Sequence, residues 1–568
     1  DASRFALLDG RAGSGKSHLV ASEIERALTS RAPALFMIGT DFTTHGTPEN
    51  QILAHFEWGK STFDKMLGAL SARAEAERTR GLVAIDALNE GAGAALWRTT
   101  LLRFARRVLA FPNLALCVSC RREYLDHLIV PAVAQIATTV EISGFETPAD
   151  IERAARVYMD GRGIVRPATP WLNPEFSNPL FLRTTCLALQ AEGRTAFPRG
   201  MRGTSEVLNF YLTSTGRHLG TSYDGSDVLV GPLRSALLAL ATSMADARRD
   251  SVRRGDAHRI VEQAFEGFAP PANKTWLETL RFRGLLRYDP DPRNDPKDPL
   301  AVPVDVVRFS FQRFGDHLVA RALLEGVTSP AGLFNPSGKL AFLLADYGVA
   351  YEWSGLFYAL FLHFADRYGV ELVDELPGGF DAWWDKWPVE DAFVDSIRWR
   401  SPTAFSDRTL ELLNRLSRHE EDITALLIEL AVVEDHPWNI ELLHRNLISR
   451  TIAERDAFWT GAINAAHDDP GHPLIRLTDW SLNSGVGQAS DATLGLALTT
   501  LAWSFSSTSA RIRDTASKAV LSIVTTRPAL AAPLFERFTG CDDPYVVERL
   551  YAALYGAALR TLDSATLG

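Results

Sequence analysis

The densest chemistry in the sequence lies in eight residues, Gly10-Arg11-Ala12-Gly13-Ser14-Gly15-Lys16-Ser17, which fit G-x-x-x-x-G-K-[ST] in full. Glycine at positions 10, 13 and 15 allows tight turns, so that successive backbone N–H groups can face an anion. A helix starting near Lys16 adds its positive end. Lys16 can place an ammonium on the β- and γ-phosphates, and the Ser17 hydroxyl can ligate Mg²⁺. The candidate phosphate-binding residues are therefore Gly10, Ala12, Gly13, Ser14, Gly15, Lys16, Ser17 and His18. The spacing from Gly10 to Gly15 overlaps a dinucleotide fingerprint, but Lys16-Ser17 decides for a nucleoside triphosphate.

A second set complements the first. Leu82-Val83-Ala84-Ile85-Asp86 reads as an apolar strand ending in a carboxylate. Asp86 would then lie at the carboxyl edge of a sheet, next to the loop, where it can hold Mg²⁺ together with Ser17. Glu90 can orient or deprotonate an attacking water, and Asn89 can hold that water or a metal-bound one. Arg121 follows another apolar strand directly and suits a γ-phosphate sensor, because its planar fork matches a phosphate. The neighbouring Arg122 reads as a surface partner of Glu123. Catalysis is thus assigned to Lys16, Asp86, Asn89, Glu90 and Arg121. Cys117 and Cys120 form C-x-x-C, but residues three apart on a strand point to opposite faces, so they read as core cysteines. The 13 histidines show no zinc spacing.

These residues need elements to hold them. Strands are expected at 4–9, 34–38, 81–86, 114–119 and 139–142, with helices at 17–28, 49–56, 61–75 and 95–109. Strands alternating with helices give a parallel sheet with helices on both faces. Beyond residue 165 the pattern turns helical, apart from a hairpin around 284–289 and 304–310, whose Pro/Asp-rich 289–299 segment reads as an exposed turn. From about 330 helix follows helix, as in stacked helical pairs.

The whole chain of 568 residues, 46% hydrophobic and 23% charged, excludes disordered and low-complexity classes. No apolar run reaches the ~18 residues of a membrane span. Four cysteines fit a reducing cytosol rather than a disulfide scaffold. Net charge is −10 overall, yet residues 351–568 hold 18 basic and 31 acidic side chains. That acidic half argues against a DNA-binding arm. The chain opens without an initiator Met, directly on a core strand, so an N-terminal module ahead of it is expected.

Together these motifs resemble the STAND class of P-loop NTPases, and the Asp86-Ala87-Leu88-Asn89-Glu90 form resembles its prokaryotic antiviral branch, Avs or AVAST. Asn178-Pro179-Leu180-Phe181-Leu182 is similar to the family's N-P-L-F-L segment, whose proline abuts the adenine. Arg308-Phe309-Ser310-Phe311-Gln312-Arg313-Phe314-Gly315-Asp316-His317 resembles its winged-helix segment. Phe311 stands where many NACHT-type relatives carry a phosphate-touching His, which leaves that contact to Gln312 or Arg313. Asn89 replaces a common Asp. His436-Pro437-Trp438-Asn439, Leu442-Leu443-His444 and Glu454-Arg455-Asp456-Ala457-Phe458-Trp459 are similar to blocks in the family's helical region.

The resemblance implies a P-loop domain at 1–165, a helical domain at 166–245, a winged helix at 246–328 and a helical repeat-like arm at 329–568. It implies ATP or ADP with Mg²⁺, with Pro179 and Arg313 added to the nucleotide-binding residues. It further implies a cytoplasmic prokaryotic ATPase switch that self-associates, as a tetramer, when the arm binds a terminase- or portal-like phage protein. An N-terminal effector, often a nuclease, would then be activated, and nucleic acid would be met only through that effector. Two other classes fit the motifs less well. A work-producing AAA-type ATPase usually has an acid where Ala87 stands. A non-hydrolysing scaffold would make the helical arm the functional part.

Overall fold

The computed structural model describes residues 4–560 apart from 11–12, 44, 59–60, 91–93, 146, 166–178, 196–203, 221–226, 272–273, 292–303, 346–352, 384–388, 416–419, 470–471, 484–485 and 488. Among the expected features, Ala12, Asn178 and most of the 289–299 turn lie outside the described residues. The chain divides into two compact units. One comprises 1–145, 178–181 and 248–310, and the other 146–177, 182–247 and 311–568.

The first unit is built on five strands: β1 (Phe5–Asp9), β2 (Ala34–Ile38), β3 (Gly81–Asp86), β4 (Leu114–Ser119) and β5 (Thr138–Glu141). They run parallel in the order β2-β3-β4-β1-β5. Period-two alternation sorts each strand between two apolar layers. Leu7, Val83, Ile85, Leu116 and Val118 pack with residues of α2 (Pro48–His55), α3 (Phe63–Ala76) and α4 (Ala94–Leu109). Leu8, Leu82, Ala84 and Cys117 pack on the other face with Val20 and Ile24 of α1 (Lys16–Thr29). Helices therefore cover both faces, as the strand–helix alternation predicts. Cys117 and Cys120 fall in different layers. Burial also pushes the Cys117 thiol up to about 11, which disfavours the thiolate that a metal needs.

The same unit holds a small antiparallel sheet, β6 (Val252–Arg253), β7 (Leu286–Pro290) and β8 (Asp305–Phe309), in the order β6-β8-β7. Two helices go with it, α5 (Arg254–Ala264) and α6 (Trp276–Phe282). Thr275 and Glu278 cap α6 reciprocally, and Phe265 stacks on Trp276 at 4.2 Å beneath it.

The second unit is helical among its described residues. Helix Asp491–Trp503 is apolar all round and buried along almost its whole length, the pattern of a central core helix. Around that core, helix Pro473–Asn483 packs on Ala510–Thr526, which packs in turn on Pro544–Arg560. Arg455 is fully buried, and its guanidinium donates to the Leu447 carbonyl at 3.2 Å. Trp459 donates to the Trp503 carbonyl at 3.1 Å, and Trp503 donates to His444 Nδ1 at 3.0 Å. Arg400 and Glu371 form a buried two-pronged pair at 2.6 and 2.8 Å, completed by the Thr409 hydroxyl. No described helix is long and apolar enough to cross a membrane.

Helices Gln312–Leu323 and Ser354–Tyr368 bring His317 and His363 together, with ring centroids 5.4 Å apart. Burial holds His363 down to about 4, with Arg321 and Arg367 acting the same way against a hydrogen bond to the His317 backbone. Burial, His363 and Arg313 hold His317 well below its usual value. Both rings are neutral in the fold at pH 7, whereas the unfolded chain protonates near the ordinary imidazole value. Stability is therefore unaffected above about pH 6.5 and falls as pH drops from there towards 4. His363→Gln is expected to reduce the loss of unfolding free energy between pH 7 and pH 5 by about 2 kcal/mol. Urea titrations at both pH values check it, and an unchanged pH difference would refute it.

Candidate functional site

The expected loop joins β1 to α1. Gly10 is buried at the strand end, and a Cβ there would lie 2.2 Å from the Ile142 carbonyl oxygen and 2.9 Å from Ser14 Oγ. That close approach, more than any ligand contact, demands glycine. Gly15 enters the helix at φ 103°. Lys16 is buried, and its ammonium donates to the Gly10 carbonyl at 2.6 Å, so the cation is held within the loop. Ser14 Oγ is buried with no hydrogen-bond partner among the described residues. A buried hydroxyl left in this way marks a place where a further polar group fits. Ser17 and His18 are exposed on the first turn of α1. Pro179 lies beside the loop, its Cγ 3.8 Å from where a Gly15 Cβ would stand.

Asp86 ends β3 as expected, at the carboxyl edge of the parallel sheet. The strand order places β4 between β1 and β3, because the chain crosses over before it returns to the centre of the sheet. The tip of β4 therefore connects the two motifs. Ser119, its last residue, donates its hydroxyl to Asp86 Oδ1 and accepts the Ala87 N–H at 2.7 Å. Ala87 sits at φ 56°, which turns the chain sharply after the strand. A Cβ on Gly39 would lie only 2.0 Å from the Ala87 carbonyl oxygen, so glycine at the end of β2 makes room for this turn. The Glu90 N–H closes the turn on the Ala87 carbonyl at 2.9 Å.

Asn89, expected to hold a water, directs its Oδ1 to the Arg121 N–H at 3.0 Å. Arg121 and Glu90 come together as an ion pair at 2.6 Å. A second Arg121 nitrogen reaches the Tyr288 carbonyl at 3.3 Å. Arg122 bridges Asp9, at 2.9 Å, and Glu141, at 2.6 Å. The reason is that Arg122 faces β1 and β5, the strands on the other side of β4. Arg313 lies in the second unit, where it pairs with Asp395 at 2.6 Å.

Sequence reasoning missed Ser119, Gly39 and Asp9. The serine ending the apolar run Leu114–Ser119 was the only available signal for the first. Among the described residues no cluster of three or more His, Cys, Asp or Glu could hold a metal by itself. A divalent ion here would depend on Ser17, Asp86 and the phosphates. The hydroxyl and the buried, Ser119-oriented carboxylate suit a hard cation such as Mg²⁺.

No protein-family model matches the chain, and no curated protein matches it. Among solved structures, it is similar to a signal transduction ATPase with numerous domains (STAND) bearing a tetratricopeptide repeat sensor, from Pyrococcus horikoshii. That match has 12% identity and a TM-score of 0.24, and it covers 100% of this chain and 76% of the other. The chain is also similar to CDC6P from Pyrobaculum aerophilum, at 16% identity and TM-score 0.24 over 56% of this chain and 87% of that one. The ORC1 protein of Aeropyrum pernix in complex with DNA matches at 14% and 0.27 over 57% and 86%. By its own sheet and loop, the chain has a P-loop NTPase fold with a helical C-terminal part.

The close packing at Gly10 gives a direct check. Gly10→Ala is expected to cost about 1–3 kcal/mol of stability, because the new methyl displaces either the loop or the end of β5. Gly231→Ala, where a Cβ meets nothing within 4 Å, is the control and should be near neutral. Equal denaturation midpoints for Gly10→Ala and wild type would remove this account of the loop.

Proposed function

We propose that this chain is the ATP-operated switch of a STAND-type antiphage sensor. The carrying observation is the convergence, in one compact unit, of the Lys16 loop, the Ser119-oriented Asp86 and the Glu90–Arg121 pair. Loop amides and Lys16 bind the phosphates, and Ser17 and Asp86 hold Mg²⁺. Bound there, Mg²⁺ neutralises charge on the β- and γ-phosphates. Glu90 orients the attacking water and takes its proton, Arg121 responds to the γ-phosphate, and Pro179 packs near the nucleotide. The role of sensor for a terminase- or portal-like phage protein falls to the helical arm, with tetramer assembly driving an N-terminal effector such as a nuclease. Support for this finer reading comes from the sequence resemblance, from Asp86–Glu90 to the helical blocks. Shifting such a switch from 1:99 to 99:1 needs about 5.5 kcal/mol of differential binding, within reach of a protein-sized interface.

Lys16→Ala is expected to abolish ATP binding measured by calorimetry and to block assembly, since it deletes the main phosphate cation. Glu90→Gln is expected to keep ATP binding while turnover falls about 10²–10⁴-fold, the range of general-base catalysis. Turnover in Lys16→Ala equal to wild type would leave a scaffold. Particle mass in ATP and Mg²⁺, with and without co-expressed phage packaging proteins, tests the sensor. A ring present with ATP alone would indicate an AAA-type machine instead.

A further inference from the structure

The small sheet of the first unit carries a feature that the ATPase reading does not use. Among the described residues β7 is an edge strand, bonded to β8 on one side only. Its flanking residues Leu285 and Asp291 exchange backbone bonds with Ser310 and Val304. In an antiparallel ladder, bonding direction alternates along the strand. The Tyr288 carbonyl, offset by an odd number of residues from both, therefore points away from β8. A free edge carbonyl of this kind needs a partner when covered. It has two, and both come from the segment that follows β4. Arg121 donates to it at 3.3 Å, and the Tyr124 hydroxyl donates at 3.0 Å. Arg121 simultaneously binds Glu90. Burial raises the Tyr124 phenol well above its ordinary value, so it stays protonated and remains a donor.

We propose that the free edge of β7 is a latch on the candidate catalytic pair. The Tyr288 carbonyl and the Tyr124 hydroxyl fix the segment that follows β4, and Arg121, fixed with it, holds Glu90 in an ion pair that keeps the base from water. This rests on the reading of Glu90 as general base. Withdrawal of β7 frees Arg121 to turn to the γ-phosphate and frees Glu90 at the same moment. Tyr124 is thus a positioning residue, acting through Tyr288 and Arg121 without touching the nucleotide.

The test is Tyr124→Phe in the full chain, which deletes one hydroxyl and keeps the ring. Loss of one neutral hydrogen bond that holds the latched state should raise kcat about 2- to 10-fold with KM for ATP unchanged. A merely structural hydroxyl would leave kcat unchanged or lower it, and either result at a wild-type melting midpoint overturns the latch. A second measurement needs no variant. Hydrogen–deuterium exchange of 286–290 in the wild-type chain should be faster with a non-hydrolysable ATP analogue than with ADP, and equal exchange overturns the proposal. Wild-type turnover in Glu90→Gln would instead remove the general-base reading, and the latch with it. Turnover lost in Glu90→Gln but unaltered in Tyr124→Phe would remove the latch alone.

Discussion

Everything at this site depends on where one strand goes. By running between β1 and β3, β4 puts its last residue within hydrogen-bonding reach of Asp86 and its next residues against the loop and the 87–90 turn. A carboxylate buried to 4% exposure is costly unless its oxygens have donors, and the Ser119 hydroxyl supplies one. The same hydroxyl takes the Ala87 N–H, so the strand end and the turn after it are fixed through a single atom. From that turn Asn89 reaches back to the Arg121 backbone, while Arg121 reaches forward to Glu90. Asp86, Glu90 and Arg121 therefore belong to one connected polar network, in which each member orients the next.

The helical blocks that carried part of the family resemblance have a different kind of importance. His436 accepts the Trp438 N–H, Arg455 is buried against backbone carbonyls, and Trp459 and Trp503 are sealed in the core. These are the expensive polar and aromatic residues of a core, and each makes a specific hydrogen bond within it. Removing one partner leaves a buried donor or acceptor stranded, which costs more than the bond contributes. Such positions tolerate little change for packing reasons alone.

The local chemistry was legible and the non-local pairing was not. Glycine spacing, Lys16-Ser17 and the apolar run into Asp86 are properties of adjacent residues, and the elements they predict fall within a residue or two of those observed. Strand order is set by crossovers, which sequence periodicity does not encode. For that reason the link from Ser119 to Asp86, and the reach of Arg122 to Asp9 and Glu141, are not readable from the sequence. Arg121 and Arg122 illustrate the limit. Both are arginines at one strand tip, and only the positions of β1 and β5 send Arg122 to Asp9 and Glu141. The Tyr288 carbonyl is less legible still, since any residue type presents the same backbone acceptor.

An arginine that binds a carboxylate and a backbone carbonyl at once cannot also lie along a phosphate with the same nitrogens. Arg121 is only 16% exposed and Glu90 only 29%, so their attraction is less screened than that of a surface pair. Whatever draws Arg121 away must offer a stronger anion, and a triphosphate, with more negative charge than a diphosphate, is the better competitor. On the proposed roles of Arg121 and Glu90, nucleotide charge and base availability become two readings of the same side chain. Coupling of this kind needs no long pathway, because Arg121 and Glu90 are already in contact.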